Sequence, residues 1–213
     1  MKLTGAVILV SRGMKVLQAA PAAYPYRSAR ESARMFFTCH WQHRYWVTDV
    51  NPEGEPLRAA GSNLFTQRGA CGGQGHVVYV ISLSAGQLYL GGRMCVSQIV
   101  SRDEAVDITG NDNLYDASEW VIDDDGGTPL HLHRRLAPEV TRRITCIMAS
   151  GATQGLCFVD ANNLDVQATR GVRRLTQESA ELLERIIAVT DAMPNEGELL
   201  TVTQEMLDGA GVA

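Results

Sequence analysis

From Met35 onward, apolar and polar residues alternate over short distances, the pattern of half-buried strands and not of long helices. The run MFFTC reads as a strand, and VNPEGEPLRAAGSN, dense in Pro, Gly and Asn, reads as a loop. Ser62 or Asn63 then supplies a cap for a short helix through Leu64, Phe65 and Arg68, its side-chain oxygen accepting a free backbone N–H at the helix start. The turn GACGGQG follows. HVVYVISL and QLYLGGRMCVSQIV are two further β segments, and Ser84-Ala85-Gly86 between them is a link of hairpin length. Gly91-Gly92, inside the second segment, predicts a bulge or sharp bend of the kind that curls a sheet towards closure.

Downstream, Ser101 with Glu104 three positions on forms a capping box that opens a short helix in SRDEAVDIT. ASEWVID predicts a short strand, DDDGGTP a turn, and Pro138 the first turn of a helix in APEVTRR. ITCIM and GLCFVD read as late strands. The clearest helix is TQESAELLERIIAVT, capped by Thr176, with Leu182, Leu183, Ile186, Ile187 and Val189 on one face. Beyond Met193-Pro194 the chain becomes an acidic, Gly-rich tail with one short apolar patch. Short strands with interspersed short helices and no regular βαβ alternation indicate an α+β domain on a small, strongly bent sheet.

A length of 213 residues with 45% hydrophobic content suits one well-cored domain plus appendages. Charge divides the chain unevenly: up to Arg34 there are six basic residues against Glu31 alone, and beyond it 13 arginines face 23 acids. Both lysines lie in the first part. Residues 1–34 therefore read as a basic extension, or as the product of a start codon assigned too far upstream, with Met35 opening the domain. The domain then runs over 35–190 and the tail over 191–213. Five cysteines (Cys39, Cys71, Cys95, Cys146, Cys157) at irregular spacings, several in apolar runs, fit reduced core residues of a cytoplasmic protein and not a disulfide framework. No apolar stretch approaches the roughly 20 residues that cross a bilayer, so no membrane partner is expected. Arg12 and Lys15 interrupt the apolar start and count against a signal peptide.

The glycines of GSNLFTQRGACGGQGHVVYV do not form a P-loop. They run into the β segment instead of lying between a strand and a helix, and no Lys-Ser or Lys-Thr follows. The longer block AAGSNLFTQRGACGGQGHVVYVISLSAGQLYLGGRMCVSQIVSRDEA, together with QATRGVRRLTQESAELLERII, resembles PUA-like domains of the EVE type: Gly-x-Asn-Leu-Phe, Arg-Gly, a glycine turn, VYVIS, and G-x-L-Y-L-x-G-R before a V-x-x-I-V strand. Gln74 to His76 depart from it, standing where an acidic residue precedes the strand. The resemblance implies a strongly bent mixed β-sheet forming a PUA-like pseudo-barrel with flanking short helices, whose cleft accepts a flipped nucleobase, in a module that reads modified bases in DNA or RNA and in bacteria occurs beside or within modification-dependent restriction systems. On this chain the matching residues are Trp41, Tyr45 and Trp46 with Ser62, Asn63 and Phe65. An unstacked base needs aromatic faces and a few amide or hydroxyl groups for its edge, and Asn63 offers both donor and acceptor. Arg68 and Arg93 are the candidate phosphate contacts, and three Arg doublets (Arg134-Arg135, Arg142-Arg143, Arg173-Arg174) offer a basic face. No cofactor, catalytic residue or metal ligand is assigned.

Each of these residues has a plainer role open to it. Trp41, Trp46 and Cys39 suit a core, Asn63 a helix cap, and Arg68 and Arg93 surface ion pairs. The acidic balance beyond Arg34 weighs against non-specific nucleic-acid binding, which depends on neutralised phosphates. Two rival functions remain: a metal-dependent hydrolase or nuclease with DDDGG or His131 and His133 as metal ligands, and a non-catalytic subunit whose last helix or tail docks a partner; Cys39, His40 and His43 also invite a zinc site, with the missing ligand from His131 or His133. Cysteine pairs of zinc spacing are missing, and Cys39 and His40, adjacent on a strand, point to opposite faces.

Overall fold

The computed structural model describes residues 34–42, 54–68, 75–125, 127–193 and 198–210, which fall within one compact unit. The basic extension up to residue 33, the segment carrying His43, Tyr45 and Trp46, and nearly all of the glycine turn with Cys71 lie outside the described residues.

Among the described residues eleven strands build two sheets. They are β1 (Phe36–Gln42), β2 (Ala59–Ser62), β3 (Val77–Ser84), β4 (Gln87–Cys95), β5 (Gln98–Val100), β6 (Glu119–Ile122), β7 (Arg134–Leu136), β8 (Thr145–Ile147), β9 (Thr153–Gly155), β10 (Val172–Leu175) and β11 (Leu200–Val202). Among the described residues four helices accompany them: α1 (Arg102–Thr109), α2 (Pro138–Thr141), α3 (Gln177–Asp191) and α4 (Gln204–Gly209). The larger sheet has eight strands in the order β11-β7-β4-β3-β1-β10-β8-β9, and β2-β6-β5 form a second sheet. Pairing is mixed: β1 runs parallel to β3, and β11 to β7, while the remaining neighbours are antiparallel. The class is α+β, with the larger sheet strongly curled into a half-barrel.

The device that bends the sheet is where the glycines placed it. Val80 pairs with Gly92 and Ile81 with Leu90, so Gly91 is the extra residue of a bulge in the β3–β4 hairpin. Ala85 and Gly86 close that hairpin with φ of 49° and 75°, the positive pair that a tight two-residue turn requires.

Both faces of the large sheet are covered. Phe37, Cys39 and Trp41 of β1 and Val78 and Val80 of β3 pack against Ala59, Ala60, Trp120, Val121 and Ile122 of the small sheet and Ala105 of α1. On the other face Val77, Tyr79 and Ile81 meet Leu182, Leu183, Ile186 and Ile187 of α3. A strand buried on both sides must be apolar at successive positions, which is why β3 reads VVYVI. Glu184 fastens α3 to this face: its carboxylate accepts from the Tyr79 hydroxyl at 2.7 Å and from the Arg93 guanidinium at 2.8 Å. Tyr79 and Arg93 are themselves cross-strand partners.

Several helix starts match their sequence signals. Ser101 and Glu104 form the reciprocal capping box of α1, Pro138 opens α2, and the Thr176 hydroxyl accepts from Ser179 N at the start of α3. Several segments differ from expectation, among them QLYLGGRMCVSQIV, which breaks after Cys95 into β4 of the large sheet and β5 of the small one. Ser62 and Asn63 do not cap a helix: Ala59–Ser62 is a strand paired with β6, and 64–68 is a single turn. In GLCFVD only Gly155 is strand, as the end of β9; the rest is loop with an isolated bridge between Phe158 and Leu164. Residues 200–202, inside the acidic tail, enter the large sheet as its edge strand. Among the described residues, no helix is long and apolar enough to cross a membrane.

Candidate functional site

The motif Gly61-Ser62-Asn63 sits where β2 ends above a cluster of rings. Gly61 pairs with Trp120, and the absence of a side chain lets the indole lie against its backbone: a Cβ there would stand 2.7 Å from two ring carbons. The Tyr115 hydroxyl donates to the Gly61 carbonyl and accepts from Gly61 N at 3.0 Å. The same carbonyl accepts a weak bond from the Cys39 thiol at 3.4 Å. Tyr115 stands 4.8 Å from Trp120 and 6.4 Å, edge to face, from Trp41. Of the three rings only Tyr115 keeps solvent-exposed surface.

Ser62 and Asn63 form the polar rim. Asn63 Oδ1 accepts from Ser118 N at 2.7 Å, tying the end of β2 to the start of β6 across the strand pair. Its Nδ2 and the Ser62 hydroxyl make no hydrogen bond among the described residues. Glu119 Oε2 holds the next turn by accepting from Thr66 N at 2.8 Å. Arg68, exposed at the end of that turn, has no acidic partner among the described residues.

Other expected site residues are placed differently. Trp41 is 2% exposed and Phe65 0% exposed, both in the core between the two sheets, so neither ring presents a face to an incoming base. The reason is the two-residue period of β1, which puts Trp41 on the same face as Phe37 and Cys39. Arg93 is bound to Glu184, on the α3 side of the sheet, and its charge is met there and not at a phosphate. Tyr45 and Trp46 lie outside the described residues. Tyr115 and Trp120 were not singled out from sequence; Trp120 lay in a segment read only as strand, and Tyr115 in a polar stretch without periodicity.

The groups considered for metal chemistry are dispersed. Asp123 is buried, with its carboxylate accepting from Cys95 N at 2.7 Å; burial pushes its pKa up, partly offset by that bond. His131 and the 2%-exposed Arg134 both contact Asp191, at 3.2 Å and 2.5 Å. Burial works to raise the Asp191 carboxyl, but the His131 hydrogen bond and the Arg134 charge hold it below the usual carboxylate range. Cys39 is driven to a pKa of about 12 by burial, against a hydrogen bond from Trp41. It is an inert core thiol. Burial, followed by the charge of Arg170, lowers the pKa of His40. Among the described residues, no three His, Cys, Asp or Glu side chains converge as metal ligands would.

No protein-family model, curated protein or solved structure matches this chain.

Proposed function

We propose that the chain is a PUA-like reader module of the EVE type, a non-catalytic nucleic-acid-binding domain that holds one modified base of DNA or RNA at the Ser62–Asn63 rim and works beside a nuclease in a modification-dependent restriction system. The observation that carries this reading is the unspent hydrogen-bonding capacity of that rim. The Ser62 hydroxyl can donate or accept and the Asn63 Nδ2 can donate, while Asn63 Oδ1 anchors the residue through Ser118. A base edge requires this kind of fixed polar pair, and Tyr115 supplies the partly open ring beside it. Arg68 provides one phosphate contact. Because the chain beyond Arg34 is acidic, affinity comes from contacts to the base edge at the rim, and binding weakens only slightly with salt.

Fluorescence anisotropy with methylated, hydroxymethylated and unmodified oligonucleotides, at about 50 and about 200 mM salt, tests the proposal. A modified base is bound in preference to its plain counterpart, and Asn63→Ala erodes that preference by roughly tenfold, the worth of one hydrogen bond to a well-held partner. Unchanged discrimination in Asn63→Ala assigns Asn63 a structural role alone, and no preference in the parent chain removes the reader reading.

A further inference from the structure

The larger sheet ends in β9, whose residues Thr153, Gln154 and Gly155 are all exposed. On one side β9 pairs with β8, and on the other it meets no strand among the described residues. Edge strands are commonly blunted by charged side chains, proline or a bulge, and Thr-Gln-Gly carries none of these. Beside this edge lies an open pocket of about 230 Å³, lined by Gln154 and Gly155 and by the apolar side chains of Cys146, Met148, Leu156 and Ala168. Because about 150 Å³ accommodates benzene, the pocket has room for one leucine, methionine or phenylalanine side chain. Val159 and Val166, 66% and 65% exposed, add apolar surface on the loop 156–169, and Val166 stands between two further lining residues, Asp165 and Gln167.

The margin of this loop is cationic. Arg142 lies over the Phe158 ring at 4.4 Å and donates to the Ala161 carbonyl, and Arg170 donates to Gln167 Oε1 at 3.3 Å. Both arginines are exposed, and neither has an acidic partner among the described residues. The acids of the loop are spent on its own backbone: Asp160 accepts from Asn162 N and Asn163 N, and Asp165 from Gln167 N. An extended chain fits all of these features together. Its backbone continues the open edge, its side chains alternate so that one enters the pocket, and acids on either side of that residue meet the arginines.

We infer that β9 and the adjoining pocket dock a partner protein through an extended acidic segment, which joins the sheet as a further strand and places one large apolar side chain against Cys146, Met148, Leu156 and Ala168. This surface shares no residue with the Ser62–Asn63 rim, and its test is independent of oligonucleotide binding.

The probes are blocked pentapeptides Asp-Thr-Z-Thr-Glu, with leucine, methionine, phenylalanine or serine at Z, titrated against the full chain by calorimetry. The apolar members bind and slow iodoacetamide alkylation of Cys157, an exposed lining residue, read by mass spectrometry. The serine member binds at least roughly tenfold more weakly, the worth of burying one such side chain. Replacing both acids by lysine weakens binding several-fold at low salt, and Arg170→Gln reduces that difference. Methylating alternate backbone nitrogens of the tightest peptide gives two isomers. One loses binding and the other keeps it, because an added strand pairs with β9 along one edge only. The inference is overturned if no apolar peptide binds at millimolar concentration, if the serine or lysine peptides bind as tightly, if the two methylated isomers behave alike, or if binding leaves Cys157 unprotected. A parent chain that runs as a dimer and takes up no peptide overturns it as well, and assigns the edge to a second copy.

Discussion

The indole of Trp120 lies against the backbone of Gly61, closer than any side chain at that position would permit. Gly61→Ala places a methyl group 2.7 Å from two carbons of a fully buried ring, with the Ala117 methyl at 3.0 Å closing the other direction. The cost is overpacking, about 1–3 kcal/mol. Urea unfolding of the variant shows it as a lowered midpoint with an unchanged slope.

Glu184 is shared by Tyr79 and Arg93, and the two bonds differ in weight. The ion pair to Arg93 is about a third exposed on both sides and contributes little. The Tyr79 hydroxyl is buried, and burial, then the charge and hydrogen bond of Glu184, push its ionisation well above the ordinary tyrosine range. Glu184→Ala leaves that hydroxyl with only the 3.3 Å contact to the Ala180 carbonyl and costs about 1–3 kcal/mol. Tyr79→Phe removes donor and need together and costs less. A denaturation series in which Arg93→Ala proved the most damaging of the three would refute this ordering.

Ala85 holds a left-handed conformation, which a residue with a Cβ adopts at a cost of about 1 kcal/mol. Ala85→Asn gives the Asn-Gly pair favoured in such two-residue turns and raises stability by about 0.5–1 kcal/mol. Thermal unfolding detects it as a rise in Tm.

Two histidines set the response to acid. His76 is buried and accepts at Nδ1 from Met35 N, a bond only the neutral ring can receive. Burial, then the charges of Arg174 and Arg34, lower its folded pKa, and burial with Arg170 does the same for His40. Because the fold prefers both rings neutral, the unfolded chain takes up protons first. Their contribution is complete above the unfolded value, about 6.5, and is lost as pH falls from there through the folded values. Unfolding midpoints at pH 7.5 and 5.5 show the lower stability at 5.5, and His76→Gln narrows the difference.

Much of the frame was legible because it rests on local signals. The β3–β4 hairpin, the Gly91 bulge, the Ser101–Glu104 box and the apolar face of α3 each depend on residues a few positions apart. β2 was hidden: Ala-Ala-Gly-Ser has no β-branched or aromatic residue, and its strand character comes from pairing with β6, far along the chain. GLCFVD shows the converse, an apolar run that Asp160 turns into a loop by accepting from the backbone of Asn162 and Asn163. At the site, Ser62 and Asn63 were recognisable as polar residues beside a glycine. The burial of Trp41 was also readable, since a period of two aligns it with Cys39, already assigned to the interior. The partnership of Tyr115 and Trp120 around Gly61 was not, because long-range packing alone creates it.

The central place of β1 governs how a growing polypeptide can assemble. Of its two neighbours, β3 leaves the ribosome soon after it, whereas Phe37 must wait for Arg174. Through most of synthesis one edge of the innermost strand stands bare, open to pairing with a foreign strand, and only the late arrival of β10 with α3 seals it.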